Sequence, residues 1–164
     1  MLHNYYTAEG KYIEHMTSTD LCYFSKNTAG TKIPFVKYDS IVNNGPASSL
    51  PFEYIIGTLP KSAVISEIEF IITSTDQQSG NNDGTQYELV LRYGNIDHSL
   101  TKKIWCVNFQ ENKKDNHISA TYKFTPYFLT TLENDVKLLF KLYNLYKDHK
   151  AKIVNYSINV TSYQ

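Results

Sequence analysis

The chain has 164 residues, with 16 Lys plus Arg against 16 Asp plus Glu, so its formal net charge is zero. That length suits one domain of ordinary size, and neutrality argues against a dedicated nucleic-acid binder, which shows a basic footprint. No apolar run approaches the ~18 residues of a membrane helix, so no membrane insertion by helices is expected.

Residues 1–19 lack the basic start and apolar core of a secretion signal. They carry Tyr5, Tyr6 and Tyr12 among polar residues, without a clear period. One reading is a frayed or surface-packed terminus. The other is an N-terminal arm that docks on another subunit, which makes Tyr5, Tyr6 and Tyr12 the candidate partner-binding residues, as aromatic anchors. Residues 20–164 then form a single β-sandwich domain. Short strand candidates lie at 20–26, 32–38 and 52–57, separated by breakers such as Asn43-Asn44-Gly45-Pro46-Ala47-Ser48-Ser49.

Residues 63–73 place Val64, Ile68, Phe70 and Ile72 on one face, with Ser66 as the exception. Glu67 and Glu69 lie opposite, flanked by Ile65 and Ile71. A polar run from Ser74 to Gly84 follows, and in 86–94 Tyr87, Leu89, Leu91 and Tyr93 alternate with Glu88, Val90 and Arg92. The whole reads as a long hairpin with an extended tip. Residues 100–110 are apolar on both faces, which suggests a central strand. After a turn at 111–116, residues 117–124 alternate Ile118, Ala120, Tyr122 and Phe124 with polar side chains.

Residues 135–146 fit two periods. Val136, Leu138, Phe140 and Leu142 have strand spacing, while Val136, Leu139, Phe140 and Tyr143 have helix spacing, with Thr130-x-x-Glu133 as a capping box. The strand is favoured, because a matching strand follows a polar turn around residues 147–150. That strand, 151–162, has Val154, Tyr156, Ile158 and Val160 on one side, and Asn155, Ser157, Asn159 and Thr161 on the other. Eight or so short strands with frequent turns indicate an all-β chain, an antiparallel β-sandwich of the jelly-roll kind.

Little in the chain could carry chemistry. Nucleophile-elbow, P-loop, dinucleotide and zinc-protease motifs are absent. Asp97-His98-Ser99 holds three triad residue types, but neighbours in an extended chain face opposite ways, and the run reads as a turn. His3, His15, His98, His117 and His149 show no paired spacing for a metal. The loop at 76–84 is oxygen-rich, yet its twelfth position counted from Asn81 is Arg92, where a calcium loop needs Glu. Glu67 and Glu69 share a face, where solvation is the ordinary fate. Cys22 and Cys106 stand far apart among apolar neighbours, as buried free thiols do; one disulfide or a reactive thiol are the other readings. Asn155-Tyr156-Ser157 and Asn159-Val160-Thr161 are glycosylation sequons that read as the polar face of a strand. No catalytic, cofactor-binding or metal residue is assigned, and no cofactor is expected.

Residues 57–73, from Gly57-Thr58-Leu59-Pro60-Lys61-Ser62-Ala63-Val64-Ile65 into Ile68-Glu69-Phe70-Ile71-Ile72-Thr73, resemble a recurring segment of tailed-phage virion β-sandwich proteins. There a Leu-Pro-small-small-Ala-Val-Ile opening leads into an alternating strand, a polar loop, and a strand ending in Gly, here Leu89-Val90-Leu91-Arg92-Tyr93-Gly94. The likeness covers about 40 of the 164 residues and departs from the pattern at Lys61-Ser62 and in its long loop. It implies a non-enzymatic protein of the virion, assembled in the host cytoplasm: an auxiliary capsid, decoration or head-fibre subunit. Its partners would be other virion proteins and further copies of itself, a homo-oligomer. The alternative is a glycan- or receptor-binding module of a tail appendage, with a surface glycan as ligand. A hydrolase with dispersed carboxylates is the third.

Overall fold

The computed structural model describes residues 5–6, 12–13, 30–48, 50–76, 85–106, 117–145 and 149–164. Every regular element among them is a strand, and all pairing is antiparallel. A two-residue ladder joins β1 (Tyr5–Tyr6) to β2 (Tyr12–Ile13). The first large sheet holds β10 (His117–Phe124), β6 (Val64–Asp76), β13 (Ala151–Tyr163) and β3 (Thr31–Lys37), in that order. Beside it, β4 (Ile41–Val42) continues β3 along β13, and β11 (Phe128–Leu129) continues β10 along β6. The second sheet runs β5 (Phe52–Thr58), β12 (Val136–Tyr143), β7 (Gln86–Tyr93) and β8 (Ile96–Ser99), with β9 (Ile104–Trp105) further along β7.

The two sheets pack face to face as a β-sandwich. The first contributes Ile68, Phe70, Ile72, Ile158 and Val160, the second Tyr87, Leu89, Leu138, Phe140 and Leu142. Phe140 meets Tyr156 edge to face at 5.2 Å, and Phe70 stacks on Tyr122 at 4.9 Å. Each such buried side chain contributes roughly 1.5–3 kcal/mol of transfer free energy. Burial drives the Tyr87 phenol up, and pushes that of Tyr156 up to about 12. These two rings are core members, and Tyr93 and Tyr122 pack half-buried against the core, as the strand spacing requires.

Pairing is nested along the chain. β7 pairs with β8, β6 with β10, β5 with β12, and β3 with β13, so the chain doubles back once and the doubled ribbon is wound across both sheets. This corrects one expectation. Residues 63–94 are not a hairpin, because β6 and β7 lie in different sheets and the segment between them crosses from one sheet to the other.

Other departures have local causes. Of residues 135–146, Val136–Tyr143 form the strand β12, with both faces largely buried, and Thr131 accepts the Asn134 N–H at 2.9 Å in a turn where a helix cap was the alternative. The proposed central strand at 100–110 begins as a bend, with Lys102 at φ 58°, and among its described residues only β9 pairs, at the edge of β7. Asp97-His98-Ser99 belongs to β8; the turn sits at Gly94, whose φ of 59° suits glycine. On β13 the register shifts at Val154, so Ile153, and not Val154, enters the core beside Tyr156. Ser66 is the extra residue of a second bulge and bonds the Thr161 carbonyl at 3.3 Å, which explains its exception to the apolar pattern. Strand candidate 20–26, Cys22, residues 107–110, the turn at 111–116 and most of the 76–84 loop lie outside the described residues.

The β3 and β5 edges meet on one side of the sandwich. A bulge at Ile56 turns Gly57 inward, and Phe35 fills the space a side chain there would need: a Cβ on Gly57 would stand 2.3 Å from the Phe35 ring. Lys37 bonds the Tyr54 hydroxyl at 3.0 Å across the same seam.

Candidate functional site

Three places concentrate chemistry-bearing residues: the outer face of the second sheet, the end that carries the long connections, and the β1–β2 ladder. On the first, register defines rows across the strands. Thr58, Lys137, Arg92 and Asp97 form one row; Ile55, Leu139, Val90 and Ser99 the next; Glu53, Lys141 and Glu88 the third.

Arg92, the chain's single arginine, holds Glu53 with two bonds of 2.7 and 2.8 Å and Asp97 with bonds of 2.7 and 3.0 Å. Lys141 reaches Asp97 at 2.6 Å. By register, the Arg92–Glu53 bridge runs diagonally over Leu139, and the Lys141–Asp97 bridge over Val90. Those two apolar residues face outward yet are 0% and 1% exposed. The fork of a guanidinium can hold two carboxylates at once, which a lysine cannot do.

The electrostatics suit a clasp better than a catalyst. The Arg92 hydrogen bonds hold Asp97 down at about 2, and also lower Glu53. A general acid needs the opposite shift. Deeper in the same face, the Tyr143 hydroxyl donates to buried Glu88, Ser99 donates to the same carboxylate at 2.7 Å, and Lys103 lies 4.4 Å over the Tyr143 ring. Burial first, then Glu88, raises the Tyr143 phenol. Asp97 and Ser99 therefore answer to Arg92 and Glu88 respectively.

The second place is one end of the sandwich. β3, β6 and β12 end there, and β5, β7, β10 and β13 begin there. Four connections therefore leave from a common rim, between β3 and β5, β6 and β7, β9 and β10, and β12 and β13. Their bases are bonded in pairs. The Cys106 N–H donates to Thr85 O at 2.8 Å, and Ser74 donates to Cys106 O at 3.1 Å. Asn144 Nδ2 donates to Asn43 O and Gly45 O, each at 2.9 Å, while its Oδ1 accepts the Ala151 N–H at 2.8 Å. Asn43 in turn donates to Leu142 O at 2.9 Å. Exposed apolar side chains crown this end: Tyr38 is 84% exposed, Leu50 77% and Trp105 39%.

The opposite end is closed by short connections. Thr130 Oγ1 accepts the Ala63 N–H at 2.9 Å and bonds Pro60 O at 2.6 Å, with Leu59 and Ala63 buried beneath. β1 lies against β11 at this end. Tyr5, Tyr6 and Tyr12 therefore sit on a ladder, Tyr6 opposite Tyr12, away from the long connections.

Of the other residues singled out by sequence, Cys106 is buried, and His117 is exposed at the start of β10. Glu67 and Glu69 do share the outer face of the first sheet, where Lys123 reaches Glu67 at 3.3 Å. Sequence reasoning missed the Glu53–Arg92–Asp97–Lys141 cluster; its one signal was a lone arginine among fifteen lysines. Among the described residues no three His, Cys, Asp or Glu side chains gather as a metal site, and no helix is long and apolar enough to cross a membrane.

No protein-family model matches the chain, and no curated protein matches it. Among solved structures it is similar to a chain in the structure of infectious bursal disease virus, Gt strain, with a TM-score of 0.49 and 10% identity over 80% of this chain and 33% of that one. The Gx strain gives a TM-score of 0.45 and 10% identity over 82% of this chain and 33% of that one. The chain thus spans about a third of the length of the chains it matches.

Proposed function

We propose that this protein is a non-enzymatic structural protein of a virion: an auxiliary capsid, decoration or head-fibre subunit that attaches to other virion proteins and self-associates. The observation that carries the reading is the strand order. Numbering the eight principal strands along the chain, one sheet reads 1-8-3-6 and the other 2-7-4-5, the order produced by rolling up a nested ribbon. We read this as a jelly roll, a fold used by capsid proteins and lectins. The inference is one of fold analogy, supported by carboxylates that are clasped rather than poised.

The two ends of the sandwich divide the labour. The closed end, with the β1–β2 ladder and Tyr5, Tyr6 and Tyr12, is the attachment end. Deleting residues 1–19 should abolish co-sedimentation with capsids while leaving a folded domain by circular dichroism. Co-sedimentation unchanged by the deletion overturns the attachment role.

A second reading, a glycan- or receptor-binding module, is favoured by one observation: exposed Tyr38, Leu50 and Trp105 gather at the end with the long connections. It predicts glycan-array hits that weaken in Tyr38→Ala and Trp105→Ala. An array without hits rejects it.

A further inference from the structure

We propose that Asn44 is a latent, one-way modification site, and that the Asn43 side chain guards it. Asn44-Gly45 is the chain's single Asn-Gly pair, and Asn44 is exposed at the rim with the long connections. An Asn followed by Gly is prone to self-modification, because no side chain hinders approach of the following backbone nitrogen. Gly45 N loses its proton and attacks Asn44 Cγ. The new N–C bond closes a succinimide ring while the Cγ–Nδ2 bond breaks, and the side-chain nitrogen leaves as ammonia with that proton. Water then opens the ring to aspartate or isoaspartate. The only co-reactant is water.

In the folded chain the nucleophile is engaged. The Gly45 N–H donates to Asn43 Oδ1 at 2.9 Å. Asn43 cannot turn away easily, because its Nδ2 is bonded to Leu142 O at 2.9 Å inside the rim. From the other side, Asn144 holds Asn43 O and Gly45 O. Ring closure requires rotation about the Asn44–Gly45 backbone, hence loss of the Gly45 bond and strain on both Asn144 bonds. The guard thus makes the reaction report opening of this connection.

The product differs from the starting state in two ways. A negative charge appears on the rim, and isoaspartate lengthens the backbone by one methylene between two carbonyls that Asn144 must hold together. The clamp then has no matching partner, so the loosening is irreversible.

The test follows the mass of the peptide containing Asn44 after incubating the full chain in mildly alkaline buffer, folded and in urea. Losing one net hydrogen bond corresponds to about a tenfold change in the open population. Conversion should be at least about tenfold slower in the folded chain than in urea. Asn43→Ala should convert about tenfold faster than wild type while still folded. Asn43→Ser, whose hydroxyl can accept the same N–H, should stay closer to wild type. Equal rates in the folded and urea-unfolded chain overturn the proposal, as does a folded Asn43→Ala that converts no faster than wild type. Should Asn43→Ala not fold, Asn43→Ser and the folded-to-urea ratio decide: parity in the ratio, or an unprotected Asn43→Ser, overturns it.

Discussion

Asn144→Ala tests how the rim is held. The side chain makes three bonds: two donated to Asn43 O and Gly45 O, one accepted from the Ala151 N–H. Its backbone carbonyl, bonded by Ser48 N–H at 2.9 Å, survives the substitution. Gly45 is exposed, so its carbonyl recovers water. Ala151 is fully buried and Asn43 nearly so, and each loses a bond where water has poor access. An orphaned buried group costs roughly 1–3 kcal/mol, so two of them predict a loss of about 3 kcal/mol, less if a water enters the vacated polar space. In urea the midpoint should fall by roughly 1–2 M at unchanged slope. Asn144→Asp sharpens the test. Its carboxylate still accepts from Ala151 but faces two carbonyl oxygens, so the folded state favours its protonated form. The raised folded pKa means its stability is highest at acid pH and is lost as pH rises. An Asn144→Ala stability within about 0.5 kcal/mol of wild type, or an Asn144→Asp variant insensitive to pH, refutes the clamp.

Three further predictions concern the seam, the clasp and the core. Gly57→Ala should destabilise by about 1–3 kcal/mol through its clash with Phe35, and Phe35→Leu should partly relieve it; additive losses in denaturation of the double variant would reject the contact. Asp97 is ionised more readily folded than unfolded, so its contribution is full above its ordinary 3.8 and is lost as pH falls through about 2. Asp97→Asn should flatten wild-type acid denaturation in that window, and Arg92→Lys should do so in part, read by fluorescence against pH. In a Cys22→Ser background, Cys106 should resist a soluble thiol reagent until the chain unfolds; labelling in native buffer at the unfolded rate would place it at the surface.

The strands most legible in the sequence are those with one solvated face. β10 and β13 alternate because one side meets water, and β3 and β5 are bounded by Pro, Gly and Asn. β12 was read only through the clear strand that follows it, which joins the other sheet, since burial on both faces erases the period. Alternation says that a segment is a strand but not which sheet it joins, so β6 and β7 passed for a hairpin although they lie in different sheets. Ser66, Val154 and Ile56 are bulge positions, and a bulge leaves no mark in local composition beyond a break in phase. The clasp was illegible for a related reason. Its members stand at 53, 92, 97 and 141, and only register across four strands brings them together.

The place of β13 has a consequence for synthesis. It follows every other strand along the chain, yet it lies between β6 and β3 and pairs with both. During vectorial translation β3 and the β6–β10 pair therefore stay unjoined until that segment emerges, and Ile68, Phe70 and Ile72 wait without their β13 neighbours. The sequence separation of these pairs favours slow folding, and the waiting intermediate exposes strand edges that invite association. A ribosome pause or a premature stop ahead of residue 151 would leave the first sheet split between β6 and β3, a natural client for chaperones.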